Sequence, residues 1–291
     1  MFANCHNHST FSDGVYSPEK LVELAKELGH KAIILTDHDT VRGTYFLQKA
    51  ARKAGMLSLL GCEFSTFGFD GENFHLLGFD FNPDNNIMKK LLARTSAKQT
   101  ERSHLLFDWG LERGTLRPGV TWQEVLDFYP NNDYFCNNQV FDTMVAKGIY
   151  KWDEYDEFVF GNFRPSKETD LQIEDITNLH TPDIEEVIYT IKKAGGVPII
   201  AHPQNQFRYA EELVKMGIMG FETLHPMLLE SNETELWDNF CTEKNLYKMG
   251  GTDHSSVLGG YAGRLPGHDI PPDSGYVTEE NFMKLYRREL G

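Results

Sequence analysis

The stretch NCHNHSTFSDG, residues 4–14, holds two histidines, an aspartate and a turn glycine. His6 and His8 stand at i and i+2, so on an extended strand both project to one face and are able to grip a single ion. Asp13 follows on a loop within reach of a neighbouring ion, although an aspartate before a glycine also makes turns unaided. Residues of the same chemistry recur at the ends of short apolar runs. Asp37, His38 and Asp39 follow KAIILT; Glu63 ends MLSLLGC; His75 lies in FHLLGFDF; His202 follows VPIIA; Glu222 and His225 lie in IMGFETLHP; Asp253 and His254 follow LYKMGGT. Imidazoles mixed with carboxylates suit zinc, iron or manganese better than calcium or magnesium, which prefer all-oxygen shells.

Each residue has an ordinary alternative when taken alone. An HxH pair arises by chance, TDHD can be a capped turn in which Asp39 or Thr40 opens a helix, His75 fits a half-buried strand position, and Glu63 fits a surface ion pair. Seven of the 11 histidines nevertheless fall at these strand positions, while His30, His104, His180 and His268 fall elsewhere and are assigned to the surface. A set of ligand types at several independent strand ends is the pattern of a site, not of surface decoration.

The elements that must position these residues are legible. SPEKLVELAKELG reads as a helix, with Ser17 as N-cap, Pro18 at the first helical position, Leu21, Leu24, Ala25 and Leu28 at helical spacing, and Gly29 as the stop. A helix at about 41–54 follows the second strand, and DIEEVIYTIKKAGG and AEELVKMG are helices of the second half. Alternating strands and helices imply a parallel sheet with right-handed crossovers. About seven strands are present, enough to close a barrel whose C-terminal strand ends share one mouth. Residues 84–180 break the rhythm with IMKKLLARTSAKQTERSHLLFDWGLERG, TWQEVLDFY and QVFDTMVAKG, which read as an inserted helical subdomain between barrel segments 1–83 and 181–291.

Composition bounds the partners. The 291 residues carry 28 Lys plus Arg against 43 Asp plus Glu, a net charge of −15, with 40% hydrophobic and 24% charged residues. An ordinary globular chain is implied, and one that repels a long polyphosphate backbone, whereas a small phosphate ester remains compatible because bound cations invert the local sign. No signal-peptide pattern or bilayer-length apolar run is present, so a cytoplasmic chain with no membrane partner is expected. Cys5, Cys62, Cys136 and Cys241 form no CxxC pair and are expected to be reduced and mostly buried.

Read together, CHNHSTFSDG, LTDHDTVRG, GCEFS, FHLLGFDF, AGGVPIIAHP, GFETLHP and GTDHS resemble the PHP (polymerase and histidinol phosphatase) family of metal-dependent phosphoesterases, in order over nearly the whole chain. The resemblance is strongest to the branch with a helical insertion after the fourth strand, which includes nucleoside 3′,5′-bisphosphate phosphatases. It implies an α/β fold, a distorted (β/α)7 TIM-like barrel, and two or three divalent ions of zinc, manganese or iron. It further implies one ion on His6, His8 and Asp253 with Glu63 bridging, a second on Glu63, His75 and His202, and a third on Asp13, His38 and a histidine near the last strand, His254. Three departures stand out: Asn4 replaces the usual aspartate, His254 directly follows Asp253 where the family has Asp-x-His, and CNNQVF stands where the bisphosphate branch has Arg-Pro-His.

The implied activity is hydrolysis of a small phosphomonoester, such as a nucleotide or nucleoside 3′,5′-bisphosphate, by metal-activated water. Arg102 and Arg208 are candidate phosphate contacts, with Arg208 and His225 as candidate catalytic groups and His225 as proton donor to the leaving oxygen; each has a structural alternative, Arg208 pairing with Glu211 or Glu212 among them. Amide hydrolysis at a related metal centre and a PHP module without activity are the rival readings. Sequence leaves the oligomeric state open.

Overall fold

The computed structural model describes residues 2–253 and 276–290. In the first part β1 (Ala3–Asn4), α1 (Pro18–Glu27), β2 (Ala32–Ile33), α2 (Arg42–Ala54), β3 (Gly61–Phe67) and β4 (Asn73–Phe79) follow in order. Helix α1 forms as its sequence predicts. The Ser17 hydroxyl accepts the Lys20 N–H, Pro18 opens the first turn, and Leu21, Val22, Leu24 and Ala25 are buried.

A helical segment comes next, with α3 (Asn86–Arg113), α4 (Trp122–Phe128), α5 (Asn137–Ala146), α6 (Tyr155–Asn162) and α7 (Lys167–Thr177). The first three match the helices expected there, and α6 and α7 are additional. Leu106, Phe107, Val125, Phe141, Phe158 and Ile173 bury together in an apolar cluster built from this segment. The remaining elements are α8 (Ile184–Lys193), β5 (Val197–Ile200), α9 (Ala210–Met216), β6 (Gly220–Leu224), α10 (Pro226–Ser231), α11 (Thr234–Lys244), β7 (Tyr247–Gly250) and α12 (Glu279–Tyr286). Phe64, Leu76, Ile200 and Phe221 of the sheet pack with Ile188 and Ile191 of α8 and Trp237 and Phe240 of α11. All four cysteines are buried and unpaired.

The sheet corrects the sequence reading in two respects. The strands form a parallel pair, β1–β2, and a five-stranded sheet ordered β3-β4-β5-β6-β7, with no closed barrel ladder among the described residues. Within the larger sheet β5, β6 and β7 are parallel, but β4 is antiparallel to both β3 and β5. Only residues 68–72 separate β3 from β4, far too few for the crossover of a dozen or more residues that a parallel pair needs. The run after β2 stays extended without a regular ladder, held by single bonds: Ile34 N–H to the Asn4 carbonyl at 2.9 Å and Thr36 N–H to the Asn7 carbonyl at 2.9 Å. An isolated parallel bridge sets His38 beside Glu63. On the other side, Cys5 N–H donates to the Gly250 carbonyl at 3.2 Å and Asp253 N–H to the His6 carbonyl at 2.9 Å.

Candidate metal centre

The segment after β1 and the end of β7 meet without room for a side chain between them. A Cβ on Gly251 would lie 2.3 Å from the His6 nitrogen, so a glycine is required for this approach. His6 and His8 are both fully buried, and their Nε2 atoms stand 3.2 Å apart. Glu63 Oε2, from β3, lies 3.0 Å from each. Asp253 Oδ1 lies 3.0 Å from His8 Nε2 and 3.5 Å from His6 Nε2. A tetrahedron of donors about 2.1 Å from a central ion has edges of roughly 3.4 Å. These four atoms therefore already stand at the spacing of a coordination shell, and the mixed imidazole and carboxylate donors fit a divalent transition metal.

Glu63 turns its other oxygen the opposite way. Oε1 lies 2.9 Å from His75 Nδ1 and 3.2 Å from His202 Nε2, so one carboxylate joins two groups of imidazoles. A third group forms around Asp13, whose Oδ1 lies 3.4 Å from His8 Nδ1 and whose Oδ2 lies 3.9 Å from His38 Nε2. The His8 and His38 rings stack with centroids 4.5 Å apart. Asp13 and His75 keep 27% and 32% of their side-chain surface exposed, which marks the open side of the centre. His202 and Asp253 adopt φ of 28° and 49°, left-handed values uncommon outside glycine, which turn the chain sharply where each strand ends.

A surrounding layer of hydrogen bonds orients the donors. Both Glu222 oxygens lie 3.1 Å from His6 Nδ1, and Oε2 also accepts the His202 backbone N–H at 2.7 Å. A proton on Nδ1 shared with this carboxylate leaves the Nε2 lone pair facing the cluster. Asn4 does not substitute for such a carboxylate, because its side chain bonds the Thr252 hydroxyl at 2.8 Å and backbone N–H at 3.1 Å. Glu222 was visible in the sequence as a strand-end carboxylate, but nothing there distinguishes an orienting residue from a ligand.

His225 is the residue the sequence offered as proton donor to the leaving oxygen. It is fully buried, and its Nδ1 accepts the Met227 N–H at 3.2 Å as the N-cap of α10. With Nδ1 accepting, the ring proton is on Nε2, 3.5 Å from Asp253 Oδ2. This direction suits holding Asp253 Oδ1 toward the cluster better than reaching a leaving group. Asp37 likewise supports rather than joins the centre, accepting the Ser9 N–H at 2.6 Å and the Ser9 and Ser12 hydroxyls at 2.8 and 2.7 Å.

Electrostatics divide the histidines. Burial disfavours a charged imidazole, but at His6 the carboxylates of Glu222, Glu63 and Asp253 outweigh it and hold the pKa well above the usual histidine value. His8 is raised in the same way, burial being overcome by Asp13, Asp253 and Glu63. Burial pushes Glu63 and Asp253 upward, but His6 and the other imidazoles reverse this and leave both carboxylates well below their ordinary range. In the metal-free chain, protons thus take the role of cations between these groups. At His38 burial prevails over Glu63 and Asp13 and lowers the pKa to about 4, keeping a neutral donor.

The two arginines take no part in the cluster. Arg208 is exposed, paired with Glu72 rather than Glu211 or Glu212, with its guanidinium 4.7 Å from the Tyr209 ring centroid. Arg102 donates to Asp170 at 2.8 Å, an ion pair between α3 and α7. His254 and His268 lie outside the described residues. Of the contrast histidines, His104 stacks on Trp122 and His180 pairs with Glu174. His30 is corrected: it is 5% exposed, between α1 and β2, and burial lowers its pKa.

Solved structures define the fold class. A Bifidobacterium adolescentis protein described as a candidate metal-dependent phosphoesterase superposes with a TM-score of 0.75 over 99% of this chain and 96% of its own, at 23% identity. A Chromobacterium violaceum protein described as an amidohydrolase gives 0.73 over 99% and 97%, at 19% identity. The family follows from sequence. The PHP domain family model matches residues 4–137, and a Haemophilus influenzae 5′-3′ exoribonuclease is 30% identical over 199 residues, 68% of this chain and 67% of its own length. A phosphoribosyl 1,2-cyclic phosphate 1,2-diphosphodiesterase of Eggerthella lenta is 24% identical over 231 residues, 78% of this chain and 84% of its own. The chain belongs to the PHP family and is a metal-dependent phosphoester hydrolase.

Proposed function

We propose that this chain hydrolyses a small phosphomonoester, with nucleotides and nucleoside 3′,5′-bisphosphates as the leading class. The observation that carries the reading is the donor cluster of His6, His8, Glu63 and Asp253, with Glu63 shared onward to His75 and His202. Those residues would hold two zinc, manganese or iron ions, and Asp13 with His38 would contribute to a third. When bound, such ions lower the pKa of water and neutralise charge on the phosphoryl oxygens.

The chain's own residues do the positioning. Glu63 fixes the distance between the two groups of imidazoles, Glu222 keeps the His6 donor atom facing inward, and His225 holds Asp253. Asp13 and His75 border the side through which substrate enters. A net charge of −15 favours a short phosphate ester over a long nucleic acid, since a long polyanion is repelled while a single phosphate meets the local cations. A cytoplasmic setting fits such a substrate, and no helix among the described residues is long and apolar enough to cross a membrane. The bond from Cys5 N–H to the Gly250 carbonyl, and the pair in which Glu63 N–H donates to the Asp37 carbonyl at 3.2 Å and its own carbonyl accepts the Asp39 N–H at 2.8 Å, support treating the two sheets as one distorted seven-stranded ring. The helical segment is read as an insertion that selects the leaving group.

The test is release of inorganic phosphate by manganese- or zinc-reconstituted protein across nucleoside 3′,5′-bisphosphates, mononucleotides, histidinol phosphate and sugar phosphates. A cyclic phosphate and a short 5′-phosphorylated oligoribonucleotide belong in the panel because the two relatives are named for such chemistry. Monoester turnover that disappears with chelator supports the proposal. Turnover confined to the diesters, by metal-loaded protein, replaces it with end-directed phosphodiester cleavage.

A further inference from the structure

We infer that Gln139 and Asn138, at the start of α5, are positioning residues for the Asp13 side of the metal centre. The inference rests on the metal reading above. Three amides from residues 132–139 reach across to the backbone carbonyls of the loop that follows His8. Asn132 Nδ2 donates to the Thr10 carbonyl at 2.7 Å. Gln139 Nε2 donates to the Thr10 carbonyl at 3.3 Å and to the Ser12 carbonyl. Asn138 Nδ2 donates to the carbonyl of Asp13 itself.

The orientation of both amides is set by separate partners. Gln139 Oε1 accepts the Cys136 N–H at 2.8 Å, so its NH₂ must face the loop. Asn138 Oδ1 accepts the Tyr155 hydroxyl at 2.6 Å, so its NH₂ faces Asp13. Both side chains are buried, at 1% and 3% exposure, where a donor without an acceptor is costly. On its other side the loop is held by Asp37 through Ser9 and Ser12, and a Cβ on Gly14 would meet the His8 carbonyl oxygen at 2.2 Å. The backbone that carries Asp13, and so the place from which its carboxylate faces His8 and His38, is therefore held by contacts that originate in the helical segment. In this account CNNQVF is an anchor: it couples the helical segment to the centre by positioning a ligand, without touching the substrate.

The test uses Gln139→Met and Asn138→Leu, which keep approximate size and remove the donors, each in the full chain and again with Asp13→Asn. Manganese(II) is titrated into metal-stripped protein and free ion is followed by electron paramagnetic resonance, with thermal melting to establish folding. Gln139→Met is expected to weaken one ion per chain by roughly 10- to 100-fold, the effect typical of lost outer-shell support, and to leave the remaining ions at wild-type affinity. With Asp13→Asn already present it is expected to add nothing. Asn138→Leu gives the same comparison if Gln139→Met does not fold. Wild-type affinity for every ion, or an equal further loss in the Asp13→Asn chain, overturns the inference. Failure of wild-type protein to bind manganese at all overturns the metal reading, and this inference falls with it.

Discussion

At His6 the two ring nitrogens have separate tasks, Nδ1 against Glu222 and Nε2 toward Glu63 and Asp253. Glu222→Gln can retain a hydrogen bond while losing the charge that favours the donor tautomer. It is expected to weaken metal binding by about 10- to 100-fold, measured by manganese titration, without unfolding the chain. The protonation of His6 and His8 gives a second prediction. Their raised pKa values stabilise the metal-free fold fully below the unfolded histidine value of about 6.5, and that contribution is lost as pH rises through the folded values. Metal must displace these same protons, so the rise in Tm caused by manganese is expected to grow between pH 6 and pH 8.5. A rise of equal size at both pH values would contradict protonation of these residues in the metal-free chain.

At the scale of elements, the donors depend on how closely the strands meet. Gly251→Ala places a methyl against the His6 backbone and is expected to cost about 1–3 kcal/mol, seen as a lower urea midpoint together with weaker metal binding. Phe141→Ala, in the apolar cluster of the helical segment, is expected to cost about 3–5 kcal/mol in urea unfolding. Much of this level was legible in advance. Ser17 and Pro18 announced α1, and apolar runs ending in His or Asp located the rim. The antiparallel setting of β4 is not carried by FHLLGFDF, which has the same apolar pattern whichever way it pairs, but by the link before it, too short for a parallel crossover, a signal the sequence did contain. The role of Gln139 was not legible, because it acts on a carbonyl 127 residues away in the chain. Local pattern carries no information about such a bond. His225 was visible as a histidine at a strand end, but its tautomer follows from the α10 cap and had to be seen in three dimensions.

For the whole molecule, the strand ends gather acidic and imidazole groups into a chain already at −15, so divalent ions held there would also offset repulsion between buried carboxylates. Glu63 is the residue on which this depends, since it reaches His6 and His8 with one oxygen and His75 and His202 with the other. The most direct measurement is therefore phosphate release, alongside metal content, by metal-stripped and manganese-reconstituted wild-type and Glu63→Gln proteins under identical conditions. Wild-type turnover that needs the added metal, with Glu63→Gln folded, depleted in metal and slower by at least roughly 100-fold, is the predicted result. Glu63→Gln that retains full metal content and wild-type turnover would contradict a centre built on this carboxylate.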